Sequence, residues 1–183
     1  MRTNCGGDEI IPLRQKGKNM EYVVYQLNDT ADRTLRFAPF ENQEKVRPEN
    51  YNLVYTGDVQ EEYPESSGLP DAKFAEKILD NIFKILNDSR PIDFHGHSLS
   101  VSDIVCLQNG ILREFWYVDS FGFVKLDTFD GILVTDIDWD TDGEPVEGLP
   151  ESVILDPSVD EDDIADKLTD AYGYCVFSLN IDK

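Results

Sequence analysis

The chain has 183 residues, 40% hydrophobic and 11% aromatic, enough to bury a sizeable core as one domain or as a domain with a small appendage. Its 37 acidic residues against 16 basic ones give a formal net charge of −21 and a pI near 4.2. Such a surface repels nucleic acid, whose binding rests on lysine and arginine neutralising phosphates, and it repels anionic membranes; the partner it attracts is a basic protein.

No apolar run approaches the roughly 20 residues needed to span a bilayer, and the first twenty residues lack the apolar centre of a signal peptide. Cys5, Cys106 and Cys175 are odd in number and far apart, which reads as reduced thiols in a cytoplasmic protein.

In chain order, residues 1–19 read as a flexible leader, with Gly6-Gly7, Pro12 and a small basic cluster but no periodic pattern. Residues 21–27 (EYVVYQL) are a strand by composition. Residues 33–40 (RTLRFAPF) read as an extended segment that Pro39 confines to an edge. Residues 51–55 (YNLVY) are a short strand, and residues 58–68 an acidic loop. Residues 71–87 carry the clearest helical pattern. Asp71 is placed to cap it, and Phe74, Ile78, Ile82, Ile85 and Leu86 form an apolar stripe widened by Ala75 and Leu79. Pro91 stops it.

Two β-prone runs, residues 103–108 and 111–118, flank Asn109-Gly110, a dipeptide suited to a two-residue turn with both central residues at positive φ. That turn sets Leu107 opposite Leu112, Val105 opposite Glu114 and Ile104 opposite Phe115. Apolar side chains then fall on both faces, as in a sheet covered on both sides.

Beyond Asp130-Gly131, residues 133–139 alternate as a half-buried strand. A proline-bearing acidic loop follows. Asp160 is placed to cap a helix over residues 161–171, with Asp163 in a capping-box position and Gly173 as its exit. Residues 174–181 are a strand with Cys175, Phe177, Leu179 and Ile181 on one face. Residues 131–183 hold fifteen Asp and Glu against two Lys, a net −13, leaving −8 for the rest of the chain.

Few residues suggest chemistry. His95 and His97, with Asp93, Asp103 or Cys106, are the only candidates for a zinc site, and two histidines do not make one. Ser98, Ser100 and Ser102 near His97 and Asp103 contain the components of a Ser–His–Asp triad, but no Gly-x-Ser-x-Gly elbow accompanies them. Asp138, Asp140, Asp142 and Gly143 match positions one, three, five and six of a calcium loop. Position twelve is Leu149, where a bidentate Glu is required, so only adventitious Ca²⁺ binding is expected. Trp116, Tyr117, Phe121 and Phe123 have too few cations nearby for a nucleic-acid platform and read as core. No phosphate-binding glycine loop is present. No catalytic residue, metal or cofactor is therefore assigned.

Leu69-Pro70-Asp71, Asp93-Phe94, the run from Gly96-His97-Ser98 to Asp103-Ile104-Val105, and Tyr117-Val118-Asp119-Ser120 with Gly122-Phe123 resemble the YodL-like domain. The likeness covers roughly residues 20–125. The resemblance implies a Firmicutes setting on conjugative and other mobile elements. It hands over no activity, but it marks His97, Ser98 and Asp103 as important to the fold or to a contact.

The expected fold is α+β: an antiparallel-rich sheet with a central Asn-Gly hairpin and one main covering helix, in a domain over residues 20–130. A small acidic strand–helix–strand annex over residues 131–183 docks on it. The expected function is that of a non-enzymatic interaction protein. It binds a basic partner, with mimicry of nucleic-acid charge as one form of that docking, through Asp136, Asp138, Asp140, Asp142, Asp160, Glu161, Asp162 and Asp163. The alternatives are an accessory structural domain of conjugative-element proteins, and a small hydrolase or metal-binding protein centred on His97, Ser98 and Asp103.

Overall fold

The computed structural model describes residues 20–60 and 68–182. The expected leader, Cys5 and most of the acidic loop before the first helix lie outside the described residues. The fold is α+β. The strands are β1 (Glu21–Leu27), β2 (Tyr51–Asp58), β3 (Ile104–Asn109), β4 (Leu112–Asp119), β5 (Gly122–Lys125), β6 (Ile132–Trp139), β7 (Val153–Leu155) and β8 (Val176–Asp182). The helices are α1 (Ala72–Asp88) and α2 (Ile164–Tyr172). All eight strands join one sheet in the order β2-β1-β3-β4-β7-β6-β8, with β5 as a further neighbour of β4, and each pairing is antiparallel.

Alternation along β1, β3 and β4 feeds two cores. Val24, Val105, Leu107, Trp116 and Val118 pack under α1, whose Ala75, Ile78, Leu79, Ile82 and Leu86 are buried. Asp71 caps α1 through the Phe74 amide (2.9 Å), satisfying one of the free donors of its first turn. On the opposite face Tyr25, Ile104, Cys106, Phe115 and Tyr117 pack with Val46 and Phe129. α2 covers the α1-side face further along the sheet, setting Ile164 and Leu168 on Leu112, Val134, Val153 and Leu155.

Four sequence expectations change. Residues 33–40 form no strand: Arg33–Leu35 is a 3-10 turn capped by Asp32, and the segment crosses the second face, where Tyr117 donates its hydroxyl to the Ala38 carbonyl (2.7 Å). The central hairpin turns on Gly110-Ile111, one residue later than expected. Gly110 has φ +61 while Ile111 is not left-handed, which matches a turn with glycine at its first central position. Leu107 consequently faces Glu114, Val105 faces Trp116 and Ile104 faces Tyr117. Moving the turn by one residue slides the partner strand by two, so every side chain keeps its face and both faces remain apolar.

In β8, Phe177 does not share a buried face with Leu179 and Ile181. The β6–β8 ladder shifts register at Asp136–Ile137, where Asp136 has φ +50, and again opposite Phe177. Phe177 is left without a ladder partner and is 68% exposed. Finally, α2 is shorter than expected. Asp160 caps a preceding 3-10 turn (Glu161–Asp163) through the Asp162 amide (3.1 Å), and Asp163 makes no capping bond. Gly173, at φ +79, ends the helix as expected. β7 was not anticipated at all.

Gly131 leads into β6 at φ +149, and a Cβ there would collide with the Leu155 carbonyl of β7. Gly131→Ala is therefore expected to lower stability by about 1–3 kcal/mol, read as a lower urea midpoint. An unchanged midpoint would contradict the close β6–β7 approach.

Candidate functional site

Residues 89–103 connect α1 to β3 without regular structure, yet they are held from inside. Gln26, near the end of β1, is buried and points its amide into this connection. Its Oε1 accepts the His97 amide N–H (3.0 Å), and its Nε2 donates to the His97 carbonyl (3.0 Å) and to Asp103 Oδ2 (3.0 Å). A side-chain amide thus pairs with the N–H and C=O of one residue, much as a neighbouring strand would, and its donors and acceptor are all used. Gly96 permits the approach, because a Cβ there would overlap Gln26 Oε1 and crowd Phe94.

Asp103 is the buried end of this network, its side chain 2% exposed. Oδ2 also accepts the Ser100 amide (2.9 Å), while Oδ1 lies 3.7 Å from His97 Nε2. Burial pushes the carboxyl up to about 6; the His97 ring and the bonds from Ser100 and Gln26 pull the other way and do not offset it. The imidazole is 55% exposed, so solvent screens its attraction. Both protons of Gln26 Nε2 are already placed, so the hydrogen-bond network assigns the proton on His97 Nδ1 to the Ser98 carbonyl (2.8 Å).

These bonds dispose of the triad geometry. His97 Nδ1 is bonded to the Ser98 carbonyl, Nε2 lies 3.7 Å from the Asp103 carboxyl, beyond hydrogen-bond reach, and neither nitrogen bonds a serine hydroxyl. Ser98 Oγ accepts from Arg90 (2.6 Å), Ser100 Oγ donates to the Ser98 carbonyl (2.6 Å) and Ser102 Oγ accepts the Phe37 amide (3.1 Å). Phe37 and Ser102, joined by that last bond, both adopt positive φ. His95 is exposed, and among the described residues no three His, Cys, Asp or Glu side chains gather as a metal site.

The eight acidic residues singled out from the sequence divide into turn formers and exposed carboxylates. Asp136 sits at the β6 bulge and accepts from Asn180 (2.8 Å). Asp142 and Gly143, both left-handed, form the centre of a turn closed by the Glu144 amide on the Thr141 carbonyl (3.0 Å). The Asp140 amide is tied to the Cys175 carbonyl (2.8 Å). This geometry spends the acidic run on a hairpin connection and gathers no calcium cage. Asp138, Asp160, Glu161, Asp162 and Asp163 are exposed. Asp138, Asp140, Asp142, Asp160, Asp162 and Asp163 make no ion pair with any described residue.

A sequence model described as the YodL-like domain matches residues 21–129. The chain belongs to the YodL-like domain family. Comparison with curated proteins and with solved structures finds no match. The YodL-like stretch begins with β1, ends at Phe129 and contains the whole Gln26–His97–Asp103 network, while the exposed carboxylates lie beyond it.

Sequence reasoning on the YodL-like domain found His97 and Asp103 but missed Gln26, the residue that joins them. The available signal was a polar residue near the end of an otherwise apolar strand. The expected aromatic core assembles for Trp116, Tyr117 and Phe123, whereas Phe121 stands in solvent at the β4–β5 turn. Cys106 is buried, its thiol pushed up to about 12 by loss of solvent, and is inert as expected. Cys175 is disulfide-bonded, which overturns its reading as a reduced thiol.

The folded-state value of Asp103 lies above that of an unfolded aspartate, so folding favours its protonated form. Its stabilising contribution is complete below about pH 4 and is lost as pH rises through about 6. Relative to Asp103→Asn, the wild type should gain stability as pH falls across that window, measured by urea unfolding at several pH values. A constant difference would mean that Asp103 does not titrate in this way. Gly96→Ala should destabilise at every pH, by displacing Gln26.

Proposed function

We propose that the protein is a non-enzymatic interaction protein whose C-terminal acidic portion docks a basic partner protein, in the manner of a surface carrying nucleic-acid-like charge. The observation that carries this reading is that Asp138, Asp142, Asp160, Asp162 and Asp163, on β6, its following turn and the approach to α2, face solvent and pair with no described cation. They belong to a stretch of net charge −13. Unpaired like charges repel one another and destabilise the free protein; a cationic surface relieves that repulsion and is attracted from a distance. The bonds of buried Gln26 to the backbone N–H and carbonyl of His97 support a structural role for the histidine–serine segment.

The mobile-element setting implied by the family resemblance suits such a role, since proteins that handle nucleic acid carry basic surfaces. A cytoplasmic location belongs to the proposal. It rests on the expected partner alone and draws no support from Cys175; among the described residues no helix is long and apolar enough to cross a membrane.

Raising salt from about 0.1 M to about 1 M shortens the screening length from about 10 Å to about 3 Å. Capture of basic proteins by the full chain is expected at the lower concentration and lost at the higher. Replacing Asp160, Asp162 and Asp163 by Asn and Glu161 by Gln removes four charges worth a few tenths of a kcal/mol each. Binding should then weaken by about tenfold. The captured partner should be released from duplex DNA by the wild-type protein. Binding indifferent to both salt and this variant would overturn the electrostatic reading.

A further inference from the structure

β4 shares one of its edges between two neighbours. Leu112 and Arg113 pair with β7, and Trp116 to Asp119 pair with β5. Glu114 falls in neither ladder, and where the two neighbours part a cleft of about 400 Å³ opens, within the range of small-ligand sites. Its walls include Leu69 and Pro70 ahead of α1, Tyr172 at the end of α2, Val153 of β7 and Leu126. The Asn109 side chain holds the lip by donating to the Gly68 carbonyl (2.6 Å).

Glu114 also lines this cleft with its side chain only 7% exposed. One carboxylate oxygen accepts from Trp116 Nε1 (3.1 Å); the other is paired with Lys125. The two ionic partners are unequal. Glu114 is fixed and desolvated, whereas Lys125 is 59% exposed on a long flexible stem. The site is a buried anion whose counter-ion can leave for water without unfolding anything.

We propose that this cleft receives a lysine or arginine side chain of the basic partner, its cationic head taking the place of Lys125 on Glu114 while its aliphatic stem lies along the apolar walls. This rests on the basic-partner reading above and gives that partner an anchoring residue. The charge balance selects a cation. Arg113, the other cation at the cleft, is already held by Asp156 (2.6 Å) and Asp130 (3.5 Å), and Asp127 adds a further carboxylate to the lining. The C-terminal end of α2, at Tyr172, turns the negative pole of the helix to the same side. A lysine or arginine stem matches a wall of this kind, because its methylenes bury while its head keeps a polar partner. Exchanging one cation for another also never leaves Glu114 as a lone buried charge.

The test titrates the full chain with N-acetyl-arginine amide, N-acetyl-lysine amide and the uncharged norleucine amide, following the Trp116 indole N–H by NMR. Both cationic amides should shift that signal and the norleucine amide should not. Lys125→Met, which removes the internal competitor, should tighten binding of the cationic amides by about tenfold. Glu114→Gln, which keeps an oxygen for Trp116, should abolish the shift while the Trp139 indole signal reports an intact fold. Silence in both wild type and Lys125→Met, or an equal response to norleucine, overturns the proposal, and this pair of results does not depend on Glu114→Gln folding. If the amides fail while salt-sensitive capture of basic proteins persists, the cleft is refuted and the exposed carboxylates carry the docking alone. If capture fails while the amides bind, the reverse holds.

Discussion

A β-strand offers one row of hydrogen-bonding groups on each side, and β4 must divide one of its rows between β5 and β7. That division decides the rest of the architecture. Its start admits the C-terminal strands β6 and β8 into the same sheet, through Leu112, Arg113 and the short strand β7. Its end keeps β5 against the YodL-like core. Arg113 reinforces the junction with two carboxylates, Asp130 from the segment before β6 and Asp156 from the segment after β7. Two residues, Glu114 and Phe115, lie between the two ladders, and the Glu114 side chain lines the cleft that opens there.

The polar interior follows the same logic of satisfied groups. Gln26 and Asp103 lie under an irregular connection whose peptide groups have no strand to pair with, and they supply the missing partners. A buried carboxyl with one amide, one backbone donor and an exposed imidazole around it is better suited to fixing one loop conformation than to moving protons onto a substrate. The bonds of Gln26, Ser100 and Asp103 give the histidine–serine run a structural account.

That surface is uneven. The YodL-like portion compensates much of its acidity with arginine and lysine, several of them in ion pairs, while the C-terminal portion has almost no internal cations. Some of its acids work locally, as the capping role of Asp160 and the left-handed turn at Asp142 demonstrate. Others, such as Asp138 and Asp162, do nothing visible for the fold. A site in the cleft and the exposed carboxylates would act on one partner at different range, the exposed set by attraction at a distance and the cleft by contact.

The sequence by itself determined what short-range rules govern. It determined α1 with its Asp71 cap, the glycine exit of α2, the strands β1, β3, β4 and β6, the two-sided burial of the central hairpin and the acidic imbalance. Each rests on periodicity, on a capping side chain or on composition, all of which act within a few residues. Tertiary structure decided the rest. The three-residue strand β7 has no pattern of its own and exists because β4 and β6 present it with partners. The segment of residues 33–40 has strand-like residues but crosses a face of the sheet, where Ser102, Tyr117 and Asp119 side chains take up its backbone groups. Phe177 faces water because the ladder to β6, far away in sequence, skips it and leaves it an extra, unpaired residue of β8, which breaks the alternation its neighbours predict. Gln26 and Glu114 look like ordinary strand positions until residues more than ten positions distant close over them, since burial and pairing are properties of the assembled sheet and not of any stretch within it.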